Sequence, residues 1–439
     1  MSIALFMAAV DGTIVATALP AIQHDLGASV IWSGWTISIY ALGQALTMPV
    51  AGRISDQFGR KKVFVLSVVL FTVASLCCGA ASNIYLLVLL RAVQSIGGGA
   101  FMPSATGIVA DHFGAGRDRA LGMFTSILPI GGIFGPIAGG LFTDFWSWRG
   151  VFLVNVPIGI VLFVLAVKFV PGGAPRAASR VDMRGVALLG LMVLAAMFGV
   201  TYLGSAQISL LDPVFLVCEA LAGLAAVLFI RHAKRHQAPF IPFELMRGRG
   251  FGIMNFVNLC IGAFTIGLGS LVPLYAQARF GINSVAAGIL LTARAAGSIG
   301  VAALTVMVMR RTGHRTPMMA GFVVSAVGLA AMVLPPHGVS PYLWLTISTG
   351  VTGIGNGMSV PSSNNAGLQL APEQAAAIAG LRGLFRQGGA IVAISITTAI
   401  VARSGDPGMS LAHVFLVYSV FMIAVLPLLV RVPDHRGSW

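Results

Sequence analysis

The sequence predicts an all-α polytopic membrane protein, and three observations support that prediction. Of its 439 residues, 57% are hydrophobic and only 9% are charged, and the mean hydropathy is +0.92, a balance that soluble domains do not have. Apolar runs long enough to cross a hydrocarbon core of about 30 Å as helices recur along the chain. Because these runs lack the alternation of barrel strands, each crossing is expected to be helical.

Polar and Pro- or Gly-rich breaks divide the chain into fourteen predicted spans. Their expected bounds are 2–23, 30–51, 63–81, 84–110, 119–144, 148–170, 184–205, 211–231, 250–275, 285–309, 317–335, 341–370, 375–402 and 411–431. An even number of spans puts both termini on one side of the membrane. Most Lys and Arg residues lie in the loops of that side, whereas the opposite loops hold Arg149, Arg279 and Arg403. The positive-inside rule therefore predicts cytoplasmic termini.

Two polar stretches group the predicted spans as six, two and six. They are PGGAPRAASRVD after span 6 and RHAKRHQAPFIPFELMRGRG after span 8. We expect a six-helix bundle over residues 1–170, a linker with two inserted transmembrane helices over 171–249, and a second six-helix bundle over 250–439. A weak internal echo between FGRKKVFVLSVVLFTVASL and TGHRTPMMAGFVVSAVGLA is typical of transporters built from repeated bundles.

The composition also limits the chemistry. The formal net charge of +14 is expected to orient the chain in the membrane rather than to bind nucleic acid. The four cysteines lie in apolar runs without the spacing of metal ligands, so we expect no disulfide and no metal. His232 and His236 lack the glutamate of H-E-x-x-H, and no G-x-x-x-x-G-K-[ST] phosphate cradle occurs. We therefore expect neither an enzyme nor a cofactor.

The loop after span 2 reads GRISDQFGRKK, with an aspartate between basic residues and two glycines where the chain reverses. From these residues alone, a solvated loop with orienting charge and a functional loop are equally good interpretations. The stretch resembles the G-x-x-x-D-x-x-G-R-[RK] signature of the major facilitator superfamily, matched by Gly52, Asp56, Gly59, Arg60 and Lys61. That resemblance implies a cytoplasmic latch that holds two bundles together in one state of the transport cycle.

An arginine lies within span 4, in the stretch RAVQSIGGGAFMPS. Because a guanidinium in lipid is costly, Arg91 is expected to face a cavity or a partner, with Gln94 and Gly98 on the same helix face. The stretch is similar to the span-4 motif of antiporters in the superfamily, which implies a part for Arg91 in proton transfer. A structural arginine bonded to backbone carbonyls is the alternative.

Span 5 carries PIGGIFGPIAGG, in which small residues recur at every fourth position. This spacing lets two helices approach backbone to backbone. The stretch is also similar to the G-x-x-x-G-P-x-x-G-G motif of exporters in the superfamily, and that resemblance implies the direction of transport. The matching residues are Gly131, Gly135, Pro136, Gly139 and Gly140. WSWRGVFLVNVPIG and FRQGGA resemble the starts of spans 6 and 13 in the fourteen-span drug:proton antiporter branch.

One carboxylate interrupts the apolar run of span 1, in the stretch DGTIVATALP. The stretch resembles the D-x-T-I-V-N-x-A-L-P signature of the same branch, except that Ala16 stands in place of the usual asparagine. Helix geometry leaves a vertical gap of roughly 6 to 7 Å between Asp11 and Arg91, much of which a long arginine side chain covers. Burial favours a protonated carboxyl and a nearby cation an ionised one, so the pair is expected to couple proton movement to transport. A fixed structural ion pair is the alternative.

Further polar or aromatic residues are candidates for a substrate cavity, Gln94 among them. Glu219, deep in span 8, is interpreted as a second proton or cation site or as a structural residue. Arg294, in the middle of span 10, either faces the cavity and favours anionic or zwitterionic molecules or pairs with Glu219. Tyr40, Trp32 and Trp35 in span 2 are cavity walls or an interfacial belt, and we favour the belt for the two tryptophans.

These features identify the sequence as a suspected member of the fourteen-span drug:proton antiporter family. They predict proton-coupled export of small amphipathic molecules or drugs across the bacterial cytoplasmic membrane by alternating access. Expected partners are the small-molecule substrate, protons and the lipid bilayer, with no nucleic acid, and the simplest assembly is a monomer. The alternatives are a dedicated exporter of one metabolite and a membrane receptor or sensor with a transport fold. Span 1 begins almost at Met1, so the natural start is expected upstream.

Overall fold

The structure is a computed structural model that describes residues 1–112, 127–172, 182–203, 209–236, 239, 241, 250–336, 338–370, 375–432 and 434. These described residues form helices and turns and contain no strand. The all-α prediction is therefore confirmed for this part of the chain.

Contacts divide the chain into two compact units, one of Met1–Thr201 with Leu211–Phe240 and the other of Tyr202–Leu210 with Ile241–Trp439. Helices that begin in the first unit are α1 Ser2–Asp25, α2 Val30–Phe58, α3 Arg60–Gly79, α4 Ile84–His112, α5 Ile127–Phe145, α6 Gly150–Leu153, α7 Asn155–Phe169, α8 Met183–Leu203 and α9 Pro213–Arg235. Those of the second unit are α10 Phe251–Ile261, a π-helix Gly262–Leu268, α11 Gly269–Phe280, α12 Ser284–Thr312, α13 Arg315–Val333, α14 Pro341–Gln369, α15 Ala375–Ala402 and α16 Pro407–Leu429.

The chain is a multi-pass membrane protein. Among the described residues, 11 helical runs are long and apolar enough to cross a membrane. Three more helices, α2, α5 and α14, overlap other predicted spans without meeting that measure. Every predicted span thus overlaps a helix, although residues 119–126 of span 5 and 204–205 of span 7 lie outside the described part. The count of fourteen crossings remains a prediction.

Polar side chains at helix starts explain where several helices begin. Ser29 accepts a hydrogen bond from the third residue of α2, and Asn83 accepts one from Leu86 at the start of α4. Asn283 and Asp406 cap α12 and α16 in the same way. Such side chains satisfy amides that have no partner within the helix.

Both units use the same pairing of helices. In the first unit α1 packs on α5, and α2 and α3 both pack on α4. In the second unit α10 and the π-helix pack on α15, and α12 and α13 both pack on α14. In addition α3 packs on α7, and α13 packs on α16. The two units therefore repeat one helical frame.

The repeat extends to single residues at a constant offset along the chain. Gly43 of α2 lies so close to α4 that a Cβ atom there would meet the Ser95 side chain. A Cβ atom at Gly297 of α12 would meet the backbone of Gly350 on α14. Gly59 precedes α3 with a φ of 99° and Gly313 precedes α13 with a φ of 78°, a region that favours glycine. The internal echo of the sequence begins at these two turns.

Candidate functional site

An ion pair lies at the centre of the first unit. The Nη1 atom of Arg91 on α4 is 2.6 Å from Oδ2 of Asp11 on α1. The side chains are 1% and 0% exposed, so the pair is enclosed on every side. The structure thus brings together the two residues that the sequence analysis placed at similar depths in different spans.

Two amides complete the surroundings of the Asp11 carboxylate. The Nε2 atom of Gln94 and the Nδ2 atom of Asn155 donate to Oδ1 of Asp11 at 3.0 and 2.9 Å. Both amides also donate to Oγ of Ser75 at 3.1 Å. Every described partner of the carboxylate is a donor, the arrangement that a carboxylate with its acceptor-only oxygens requires.

The guanidinium of Arg91 has further neighbours in the described structure. Its Nη1 atom donates to Oε1 of Gln94 at 2.7 Å, and its Nε atom donates to the carbonyl oxygen of Thr36 at 3.1 Å. Its Cζ atom lies 3.9 Å from the centre of the Tyr40 ring, within the range of a cation–π contact. Arg91 therefore joins α1, α2 and α4 through charge, amide and aromatic contacts.

Asn155 and Ser75 are the members of this core that the sequence analysis missed. Asn155 is the first residue of α7, directly after the break at Val154 that separates α7 from α6. Ser75 on α3 donates to the carbonyl oxygen of Phe152 at 2.9 Å. An asparagine within an apolar span needs a polar partner, and that requirement was the available signal.

The glycines of span 5 form the contact between α5 and α1. A Cβ atom at Gly131 would lie 2.6 Å from Cβ of Ala9, and one at Gly135 would lie 2.9 Å from the carbonyl oxygen of Val10. Gly139 is equally close to the backbone of α1, whereas Gly132 faces open space. Pro136 and Gly140 are buried beside this contact. The helix that carries Asp11 is thus held by direct backbone packing.

The residues of the predicted latch lie where α2 turns into α3. Arg60 contacts Oδ1 of Asp56 through Nε at 2.9 Å and through Nη2 at 2.8 Å. It also donates to the carbonyl oxygen of Gly107 on α4. Lys61 donates to the carbonyl oxygen of Val167 on α7 at 2.9 Å, while Gly52 lies close to α4. These contacts join four helices of the first unit at one end.

Several other predicted site residues occupy surroundings that the sequence did not reveal. Tyr40 and Gln94 belong to the enclosed core rather than to an open cavity wall. Glu219 on α9 packs against Gly199 of α8, and its Oε1 atom is buried without a hydrogen-bond partner in the described part. The belt prediction for Trp35 is wrong, because its ring is buried and donates to Oγ1 of Thr201 on α8 at 2.6 Å.

Arg294 lies beside a small cavity in the second unit. Its guanidinium donates to the carbonyl oxygen of Thr265 in the π-helix, and it forms no ion pair with any described residue. Residues that line the cavity with it include Phe264, Ser325, Leu329, Met332 and Thr352. No pattern in the sequence predicted the π-helix.

A separate polar cluster joins the start of α8 to the end of α9. Nε2 of His232 lies 2.7 Å from Oδ1 of Asp182, and the ligand atoms of these two residues and His236 are within 4.8 Å of one another. The sequence analysis placed no metal here because it considered only the two histidines. The geometry is compatible with a metal ion and equally with a structural contact that holds the two helices together.

The fold and the enclosed charged core define a class, the polytopic membrane transporters. The family model described as Major Facilitator Superfamily matches residues 1–394, and the chain belongs to that superfamily. It is 28% identical over 408 residues to the multidrug transporter protein MdtP of Bacillus subtilis, covering 92% of this chain and 75% of that protein. It is 31% identical over 379 residues to the multidrug resistance protein B homolog of Mycobacterium tuberculosis, covering 85% and 70%.

The fold also matches a solved transporter. The xylose transporter XylE from E. coli superposes with a TM-score of 0.65 at 13% identity, over 100% of this chain and 96% of that chain. At this identity the match concerns the fold alone. Together with the family model it confirms the predicted superfamily and indicates a transporter rather than an enzyme.

Proposed function

We propose that this protein exports small amphipathic molecules, drugs among them, in exchange for protons across the bacterial cytoplasmic membrane. The observation that carries the proposal is the enclosed pair of Asp11 and Arg91, a titratable acid in the middle of a membrane helix with a cation and two amides around it. Ionisable residues inside membranes mark ion and proton pathways. The names of the two relatives, a multidrug transporter protein and a multidrug resistance protein B homolog, support drugs as the substrate class.

In this proposal Asp11 carries the proton. Its carboxylate is fully buried in this structure, so protons reach it only in another state of the transport cycle. When the carboxyl is protonated it becomes a donor and needs an acceptor. The Oδ1 atom of Asn155 is buried beside it without a partner in the described structure, and rotation of that amide supplies an acceptor. The core can then satisfy both protonation states of Asp11.

The remaining predicted residues serve the change of state. We propose that Asp56, Arg60 and Lys61 belong to a cytoplasmic latch between the two bundles, and that their contacts within the first unit hold the turn that carries it. The glycine contact between α5 and α1 keeps Asp11 in register with Arg91 during that movement. We further propose fourteen crossings with both termini in the cytoplasm, the division at residues 170 and 249 made above, and a monomer as the working unit.

Substrate efflux from proteoliposomes with an imposed pH step tests the proposal. The wild type should show efflux driven by the proton gradient, and Asp11→Asn, which mimics the protonated carboxyl, should lose that dependence while it still binds substrate. Asp212→Asn is the matched control, because Asp212 caps α9 at its exposed start and asparagine caps as well as aspartate. Full proton-driven efflux by Asp11→Asn would move the coupling role to another residue, with Glu219 the next to examine.

The same assay separates the alternatives. Substrate binding without gradient-driven efflux by the wild type would favour a membrane receptor or sensor. Efflux of one metabolite, with no efflux of unrelated amphipathic compounds, would favour a dedicated exporter.

A further inference from the structure

The offset of 254 residues that relates Gly43 to Gly297 and Gly59 to Gly313 places Arg294 at the position of Tyr40 in the second helix of the repeat. Applied to the first helix, it pairs Asp11 with Thr265 in the π-helix. In the first unit the Tyr40 ring lies beneath the guanidinium of Arg91, and Asp11 neutralises that guanidinium. In the second unit a cation itself occupies the tyrosine position, and a neutral threonine occupies the position of the acid. The part of the second core that the structure describes therefore has a cation and no carboxylate to match it.

The local structure around Arg294 keeps its guanidinium available. One hydrogen bond is described for it, to the carbonyl oxygen of Thr265, although a guanidinium carries five N–H donors. Gly269 lies against it so closely that a Cβ atom there would be 2.6 Å from Cζ of Arg294, so only glycine leaves room for the group. Arg294 lies about 15 Å along α12 from its start, near the middle of a membrane helix.

The cavity beside Arg294 has two kinds of wall. Phe264, Leu329 and Met332 supply apolar surface, and the hydroxyl groups of Ser325 and Thr352 lie on the same lining. The hydroxyl of Thr352 already donates to the carbonyl oxygen of Thr349 at 2.7 Å. The guanidinium of Arg294 is the charged hydrogen-bond donor in the cavity lining. The free space in the cavity is about 20 Å³, so it admits a group the size of a carboxylate rather than a whole amphipathic molecule.

We propose that this cavity binds the carboxylate of small amphipathic anions, with the guanidinium of Arg294 as the anchor. A planar guanidinium matches a carboxylate with two parallel hydrogen bonds, and the bound carboxylate supplies the charge that Asp11 supplies in the first unit. The inference rests on the proposed function, since it names an anionic class among the amphipathic molecules that the protein exports.

Equilibrium binding to the purified protein in lipid nanodiscs, without any gradient, tests this site. The probes are benzoate, the neutral benzyl alcohol and the cationic benzylammonium, which share one ring and differ in charge. We expect the wild type to bind benzoate at least ten-fold more tightly than either of the others. Arg294→Gln should abolish that preference, and Arg279→Gln, a change at the end of α11, should keep it.

A second pair of variants keeps the test decisive if Arg294→Gln fails to fold. Thr265→Asp introduces a carboxylate at the position of Asp11, next to Arg294. This carboxylate should form an ion pair with the guanidinium and thereby weaken benzoate binding at least ten-fold. Thr265→Asn has a similar size without the charge, so it measures the steric effect of the change and should weaken benzoate binding much less than Thr265→Asp does. Equal loss in both variants would overturn the inference, because it would indicate a steric effect.

The outcomes also separate this inference from the proposed function. A wild type that exports amphipathic drugs but shows no preference for benzoate overturns the anion site and leaves export intact. Benzoate binding that depends on Arg294, in a protein without gradient-driven efflux, supports the site and overturns the export proposal.

Discussion

The centres of the two units differ in charge although their helical frames agree. The first unit brings Asp11 and Arg91 into contact and surrounds them with amides. The described membrane helices of the second unit contain no Asp or Glu, and their deep cations are Arg294, Arg382 and Arg386. The same arrangement of helices therefore surrounds an ion pair in the first unit and, among the described residues of the second unit, arginines without an acidic partner.

The second unit satisfies its cations with neutral oxygens, to different degrees. Arg386 on α15 donates to Oδ1 of Asn258 at 3.1 Å and to Oδ1 of Asn364 at 2.7 Å. In contrast, the Nη1 atom of Arg382 is buried without a hydrogen-bond partner in the described part. The one hydrogen bond described for the guanidinium of Arg294 goes to the carbonyl oxygen of Thr265. The comparison shows that a shared frame fixes where a side chain lies and leaves its electrostatic partner open.

The largest expected effect breaks the pair in the first unit. Arg91→Met leaves the Asp11 carboxylate buried without its cation and should lower the free energy of unfolding by about 3–5 kcal/mol. Arg294→Met removes a cation that has no acidic partner, so its effect should stay below about 1 kcal/mol or be stabilising. Unfolding of both variants in mixed micelles measures the contrast, and equal losses would contradict it.

Glycine variants test the frame that the units share. Gly135→Ala in α5 and Gly389→Ala in α15 each place a Cβ atom against a helix backbone, and overpacking of this kind should cost about 1–3 kcal/mol. Gly132→Ala and Gly388→Ala are matched controls, since a Cβ atom at either position meets nothing within 4 Å. Thermal unfolding in detergent should rank the two variants below both controls. A difference between the units in this ranking would mean that the frames are not equivalent.

A change at the side-chain amide of Asn155 tests whether this contact of the first core takes part in proton coupling. Asn155→Leu removes one donor from the Asp11 carboxylate and the acceptor that the proposal uses for its protonated form. A hydrogen bond to a charged group contributes about 1.5–3 kcal/mol, so proton-driven efflux should fall about ten-fold or more while equilibrium substrate binding changes little. The measurement is efflux at several values of pH beside binding in the same membranes. Unchanged efflux would exclude Asn155 from the coupling mechanism.

The smallest effect on stability is expected at the turns between the second and third helices. The Asp56 side chain is 40% exposed, so Asp56→Asn should change the free energy of unfolding by less than about 1 kcal/mol and yet slow turnover through the latch. Transport rates and equilibrium binding measured together separate the two effects. Lys62→Ala, at an exposed neighbour, is the control. A loss of binding with normal turnover would contradict the latch.

The equivalent turn of the second unit, at Gly313, is held by a different contact. Oδ1 of Asp434, which follows α16, accepts a hydrogen bond from the backbone amide of His314 at 2.8 Å. Asp434→Asn should therefore loosen the end of the chain more than it slows transport. Limited proteolysis beside transport rates checks this, and a larger effect on turnover than that of Asp56→Asn would contradict the assignment of the latch to the turn around Asp56.

The sequence predicted the helical class and the superfamily because both depend on features that span the whole chain. Helix bounds were close where a Pro or Asp marks the start, as for Pro341–Gln369. The proximity of Asp11 and Arg91 followed from depth alone, since both residues lie near the middle of predicted spans.

The other features of the site depend on how each helix is rotated about its axis and on local breaks in the helices. The depth of a residue in the membrane determines neither of these. Asn155 points toward Asp11 because of the break at Val154, and a motif match gave no reason to expect that break. The burial of Trp35 depends on α8 packing against α2, a contact between distant parts of the chain. The π-helix that presents the carbonyl oxygen of Thr265 follows no pattern of hydrophobic residues.

That π-helix, Gly262–Leu268, also affects how the chain tolerates changes in length. Its hydrogen bonds reach one residue farther than those of an α-helix, so the segment contains one residue more than a regular helix needs. Deletion of one residue there lets α10 and α11 join as one continuous α-helix. The same deletion inside α12 would rotate all later side chains of that helix by about 100°. Among natural variants of this protein, single-residue deletions within membrane helices are therefore expected to concentrate in this segment.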